Sequence, residues 1–162
     1  MKIDCFQMER TQCLYEDEVK FNLSESGVLP LRLGELAARK RQRAELEQLP
    51  LAYPNSRGRE SLRKNIARFH GFSDPESVLV ANGGSEANYI TLWGLVGAND
   101  RVAVMIPNYM QAWGMARAFG RHADPFKLVL RRSSPGNWKW QLDIDSLNKA
   151  VKKSTKVIVV TN

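Results

Sequence analysis

The sequence predicts an α/β fold: a mostly parallel sheet flanked by helices and preceded by an N-terminal helical segment. Three observations carry this. From residue 78 onward, short apolar runs alternate with stretches at helical spacing. The runs Val78-Leu79-Val80, Val102 to Ile106, Phe126 to Leu130 and Val157 to Val160 are apolar almost throughout, as strands buried on both faces require. Turn residues close them, at Asn82-Gly83-Gly84, at Pro107 and at Thr161-Asn162.

The elements follow in order. Residues 1–29 are mixed and polar, with a loop at Ser24-Glu25-Ser26-Gly27. Between Pro30 and Gln48, Leu33, Leu36, Ala37, Ala44 and Leu46 recur near helical spacing, and Pro50 stops the helix. Tyr53-Pro54-Asn55-Ser56-Arg57-Gly58 is turn chemistry. Leu62, Ile66 and Phe69 mark one face of a second helix that ends near Gly71. The strand at 78–80 leads into a helix over about 85–96. The strand at 102–106 leads into a helix over 109–119, ended by Gly120. The strand at 126–130 precedes a helix over 142–153, with Asp143 or Asp145 as N-cap, and the strand at 157–160 comes last.

The chain has 162 residues, 43% hydrophobic and 25% charged, with a net charge of +7. This is the profile of a globular domain able to bury roughly 70% of its unfolded surface. No apolar run approaches the roughly 18 residues of a membrane span, and the start lacks the apolar core of a secretory signal. Cys5 and Cys13 have no partner at metal spacing and read as reduced thiols of a cytoplasmic protein. The positive charge is scattered. Its densest run, Arg39, Lys40, Arg41 and Arg43, reads as the solvated face of a helix and has no interleaved aromatics for stacking bases.

Ligands of open α/β sheets bind beyond the carboxyl ends of the strands, which directs attention to residues 82–87, 107–109 and 161–162. In Asn82-Gly83-Gly84-Ser85-Glu86-Ala87, two glycines permit close backbone approach. The next helix offers free N–H groups and Ser85 a hydroxyl, a combination that suits a phosphate monoester or serves as a plain turn and N-cap. The loop is neither GxGxxG nor GxxxxGK[ST], and Ile106-Pro107 stands where a Rossmann fold has its ribose-binding acid. Tyr109, at the rim, can stack on a flat ring or simply pack. Tyr53 can donate to a phosphate or cap its loop. His70 and His122 are isolated, and no serine–histidine–aspartate or metal constellation can be assembled. A phosphate- or nucleotide-binding module without catalysis and a basic nucleic-acid-binding protein both stay open on these residues.

An ordered set of stretches resembles the N-terminal part of the class I/II aminotransferases, the fold-type I enzymes that use pyridoxal 5′-phosphate. These are Tyr53…Gly58…Leu62-Arg63, the run from Val78 to Ala87, Gly97…Asp100-Arg101-Val102, Pro107-Asn108-Tyr109, and Lys156 to Asn162. The resemblance covers about residues 24–162. It implies that residues 1–50 belong to a small domain and dimer arm, and that residues 51–162 begin the large cofactor-binding domain. It further implies a homodimer acting on an amino acid and a 2-oxo acid, with no nucleic acid or membrane partner. Gly84, Ser85 and Glu86 would form the phosphate site, through the amides of Gly84 and Ser85 and the Ser85 hydroxyl. Tyr109 would stack on the pyridine ring, and Tyr53 would reach the phosphate of the neighbouring subunit. Ser26-Gly27 loosely matches the loop near the substrate carboxylate.

The family's ring-binding asparagine and acid, its Schiff-base lysine and its carboxylate-binding arginine would all fall beyond Asn162. No lysine here has the Ser-x-x-Lys context, so the chain is expected to contain no catalytic residue and to lack turnover by itself. The last strand is expected to lack sheet partners that downstream residues supply.

Overall fold

The computed structural model describes residues 3–161. It divides into two compact units, one formed by the described residues up to Arg10 and from Ala81 on, the other by residues 11–80. Helix α1 (Gln7–Tyr15) runs across the division, in a stretch where the sequence shows only mixed polar residues.

The larger unit contains α5 (Gly84–Leu95), β1 (Arg101–Ile106), α6 (Gln111–Phe119), β2 (His122–Ser134), β3 (Asn137–Leu142), α7 (Ile144–Ala150) and β4 (Thr155–Val159). The strands form one sheet in the order β3-β2-β1-β4. β1 pairs in parallel with both β2 and β4, and β3 returns antiparallel on β2. The mostly parallel α/β sheet expected from the sequence is therefore present, with one antiparallel edge. That edge comes from a hairpin. β2 runs on past Leu130 to Ser134 and turns through Pro135-Gly136 into β3, so the helix expected from 142 begins only at Ile144. Asp143 is its N-cap, accepting from Ser146 N–H at 3.1 Å.

β1 explains the core. Val102 and Val104 face one side and pack with Leu92 of α5, with Val96 just after it, and with Met115, Ala116 and Phe119 of α6. Ala103 and Met105 face the other and pack with Phe126 of β2 and Ala150 of α7. All of β1's interior is buried, so a continuous apolar run is what its position demands. At the amino end, Arg101 makes a two-pronged ion pair with Asp124, Nε to Oδ2 at 2.9 Å and Nη2 to Oδ1 at 2.6 Å. This bond raises the Arg101 pKa further and fixes the β1–β2 register. β4 pairs with β1 on its inner side. Among the described residues, no strand lies on its outer edge.

The smaller unit contains α2 (Leu33–Leu36), α3 (Lys40–Glu47), α4 (Glu60–Phe69) and a 3-10 turn at Pro75–Ser77. The single helix expected over 30–48 is two helices. The chain leaves helical geometry at Ala37 (φ −102°, ψ 55°), and each piece has its own reach-back cap. Glu35 accepts from Arg32 N–H and Gln42 from Arg39 N–H. The basic run of α3 is exposed. Arg41 pairs with Glu45 one turn on, and Arg43 Nε donates to Ala37 C=O.

No strand forms at 78–80. Val78 has extended dihedrals, but only one bond, Val80 N–H to Arg57 C=O at 3.1 Å, ties the segment sideways. Extended backbone without a ladder partner is not a strand. Arg63 takes its place as organiser. Its buried side chain donates to Gly58 C=O, Pro75 C=O and Glu76 Oε1, at 3.2, 3.0 and 2.7 Å. Arg57 holds the same carboxylate from outside. Gly58 is required here, because its φ is +93° and a Cβ would stand 2.5 Å from Val80 Cγ2.

The hydrogen bond from Arg63 holds the Glu76 carboxyl below the ordinary glutamate value of 4.5. The folded value is depressed, so this contribution to stability is complete above pH 4.5 and is lost as pH falls through the lowered value. Glu60, held down by Lys64, acts in the same direction. Glu76→Gln is expected to flatten the acid limb of local stability around 57–78, followed by hydrogen exchange. Arg63→Met is expected to open the unit further at neutral pH, by about 2 kcal/mol, because two carbonyls lose their donor. Acid sensitivity of that region unchanged by Glu76→Gln refutes the clamp.

Candidate functional site

Parallel strands bring their carboxyl ends to one rim, and the residues at that rim can be placed individually. The chain enters α5 through Gly83, whose φ of +92° suits glycine and turns the first peptide of the helix outward. Gly84, Ser85 and Glu86 occupy the first turn and are exposed. The first intrahelical bond is Ala87 N–H to Gly83 C=O, which leaves the amides of residues 84–86 without helical acceptors. A Cβ on Gly84 would meet nothing within 4 Å, so the approach to these amides is open. The Glu86 carboxylate is turned back onto Asn82 N–H, and it fastens the loop.

Beyond β1, the Ile106–Pro107 peptide is cis and Asn108 donates through Nδ2 to Met105 C=O. Asn108 Oδ1 is buried and accepts no hydrogen bond from the described residues. Tyr109 follows, 37% exposed. It lines a cleft of about 440 Å³ together with Asn88, Thr91, the end of β4 from Val157 and the two residues that follow the strand, Val160 and Thr161. Asn162, also placed at the rim by the sequence, lies outside the described residues.

One side chain joins the two halves of this rim. Gln111 Nε2 donates to Ser85 C=O at 3.0 Å, and its Oε1 accepts from Asn88 Nδ2 at 3.1 Å. The starts of α5 and α6 are thereby tied together, with Ser85 on one and Tyr109 just before the other. No local motif marks Gln111, because its partners lie 26 and 23 residues away in sequence.

Tyr53, in the smaller unit, is fully exposed beside a cleft of about 540 Å³ lined by Pro54, Asn55 and Arg59. His70 caps α4 and meets the edge of Phe69, while His122 opens β2 on the surface. Cys5 and Cys13 are free and exposed. Ser26-Gly27 lies in an exposed turn where Glu25 accepts from Gly27 N–H.

The family profile described as "Aminotransferase class I and II" matches residues 19–162. The chain belongs to the class I and II aminotransferase family. A PLP-dependent aminotransferase from Streptococcus suis 89-1591 shares the fold at 23% identity. The match covers 98% of this chain and 42% of that one, with a TM-score of 0.81. The PLP-dependent cyclase OrfR is 25% identical over 99% of this chain and 41% of its own, with a TM-score of 0.79. N-Succinyldiaminopimelate aminotransferase from Mycobacterium tuberculosis is 27% identical over 73% of this chain and 31% of that one, with a TM-score of 0.64. The chain thus spans about two-fifths of the length of the first of these. No curated protein matches it significantly. No described helix is long and apolar enough to cross a membrane.

Gln111 is expected to be the tie that orders the rim. Gln111→Leu removes two exposed hydrogen bonds, each worth about 0.5–1.5 kcal/mol net. Exchange of the first hydrogen-bonded amides, from Ala87 in α5 and from Gly114 in α6, is therefore expected to accelerate about fivefold or more, with β1 unaffected. Unchanged exchange in both helices removes Gln111 from this role.

Proposed function

We propose that the chain is the amino-terminal part of an aminotransferase, which moves an amino group from an amino acid to a 2-oxo acid with pyridoxal 5′-phosphate as cofactor. The observation that carries this is the tied rim. An open helix N-terminus at Gly84-Ser85 and an exposed tyrosine at 109 are joined through Gln111, at the carboxyl end of a buried parallel strand. A phosphate monoester on a flat aromatic ring fits that pair of features, and the family match supplies the ring's identity.

In this reading the amides of Gly84 and Ser85, with the Ser85 hydroxyl, bind the phosphate. Glu86 contributes its amide while its carboxylate holds Asn82. Tyr109 covers the ring. Tyr53 extends from its loop toward the phosphate of a second subunit, and its full exposure supports that use. When bound, the cofactor supplies an electron sink for the carbanion formed at the amino acid's Cα. This chain's residues bind and orient it. The lysines on and before β4 are not placed for proton transfer. Lys152 and Lys153 precede β4 and Lys156 is its second residue, at the end of the sheet opposite the rim.

Residues 51–162 are proposed as the first part of the large domain and residues 1–50 as part of the small domain and dimer arm. Exposed Phe21, Leu23, Val28, Leu29 and Leu31 support an arm that is covered in a homodimer. The free thiols accord with a cytoplasmic setting.

Pyridoxamine 5′-phosphate tests the reading, because without an aldehyde it cannot be captured by surface lysines. It is expected to bind the 162-residue chain weakly, and in preference to adenosine monophosphate. Ser85→Asp, which sets a carboxylate against the phosphate, is expected to weaken it by about tenfold or more. Preference for the nucleotide would establish instead a nucleotide-binding module. Transamination with aspartate or glutamate as donor is expected to be absent, and robust turnover would overturn the assignment of a chain without a catalytic residue.

A further inference from the structure

The N-terminal segment lies against α6, and its contacts are of three kinds. Asp4 Oδ2 pairs with Arg117 Nη1 at 2.7 Å. Ile3 and Asp4 lie over Gly114, where a Cβ would make ordinary contact at 3.9 Å with Ile3 Cγ2 and the Asp4 carbonyl oxygen. Phe6 meets Tyr109 in a T-shaped contact, with centroids 4.9 Å apart and planes at 71°. The backbone of Phe6 is itself fixed, because its carbonyl accepts the first bond of α1 from Arg10 N–H at 3.0 Å. The segment, α5 and α6 line an open cleft of about 460 Å³, with Met8, Tyr89 and Trp113 in its wall.

Tyr109 follows a short turn and is more than a third exposed, so its backbone alone does not fix the plane of its ring. The edge-to-face contact with Phe6 constrains that plane, because it disfavours rotation of either ring. Phe6 is held from both sides along the chain, by the Asp4–Arg117 pair before it and the first turn of α1 after it. It can therefore act as a fixed stop.

We propose that Phe6 is a positioning residue for the cofactor ring: it sets the plane of Tyr109, and through Tyr109 the plane of the stacked pyridine. The inference rests on the proposed stacking role of Tyr109 and adds to it a requirement for the N-terminal segment. Phe6 touches no ligand itself. A residue that merely fills space would be replaceable by leucine, whereas one that sets a ring plane requires an aromatic.

The test uses the full 162-residue chain and pyridoxamine 5′-phosphate. Phe6→Ala and Phe6→Leu are expected to weaken binding about three- to tenfold, and Phe6→Tyr to restore it to within twofold. Tyr109→Ala is expected to weaken it at least as much, and adding Phe6→Ala to it should change nothing more, because Phe6 acts through Tyr109. Without ligand, fluorotyrosine at position 109, assigned through Tyr109→Phe, should show faster ring flipping in Phe6→Ala and Phe6→Leu than in the parent. Full recovery by Phe6→Leu, or additive losses in the double variant, overturns the proposal and leaves the stacking role of Tyr109 standing. Unchanged binding in Tyr109→Ala overturns the stacking role, and the proposal with it.

Discussion

The larger unit depends on one strand, β1, being buried on both faces. A strand in that position cannot choose its side chains freely. Val102 and Val104 must fill one layer and Ala103 and Met105 the other, and both layers must be covered by helices. Because its neighbours β2 and β4 run parallel to it, each link back requires a crossing long enough to hold a helix. α6 makes the first crossing, and α7 forms part of the second. The start of α6 must then lie at the carboxyl end of β1, which is where Tyr109 stands. The rim follows from packing before any ligand is considered.

The smaller unit rests on different physics. Its buried residues include an arginine, Arg63, and its ties are polar, from guanidinium to carbonyls and a carboxylate. Many of its apolar side chains, among them Leu29, Leu31 and Leu51, are exposed. Hydrogen bonds contribute modest net stability, whereas unmet ones are costly, so such a unit is specified more sharply than it is stabilised.

Legibility in the sequence follows the same divide. The runs at 102–106 and 157–160, and the helices after Gly83 and before Gly120, could be read because burial on both faces leaves no room for polar residues. The segment at 78–80 has the same composition, yet composition reports a liking for extended backbone and not the presence of a neighbour. The hairpin carries its own signals, Pro135-Gly136 and the alternation in Trp138-Lys139-Trp140, but charged Arg131-Arg132 end the apolar run at Leu130, short of the true end of β2. Helix α1 offered little apolar periodicity and buries no residue. At the rim, the sequence pointed to Tyr109 because it follows β1, and to Gly84 and Ser85 because two glycines open a helix there, although the strand expected before them does not form. Gln111 and Phe6 were not legible, since their roles lie wholly in contacts with residues remote in sequence.

Three ties converge on the rim, and each comes from a different element. Gln111 fixes the start of α6 to the first turn of α5, Asn108 fixes the turn after β1 to the strand itself, and Phe6 brings the N-terminal segment against Tyr109. None of the three depends on a long loop. A ligand that stacks on a ring and bonds to helix amides gains most when both are held at a set separation beforehand, because the ordering cost is then met by folding and not by binding. The tie through Gln111 bears on the separation, and the contact with Phe6 bears on the orientation. Losing the first would cost every ligand that uses both halves of the rim. Losing the second would cost only those with a flat ring, and on this difference the two kinds of tie can be told apart.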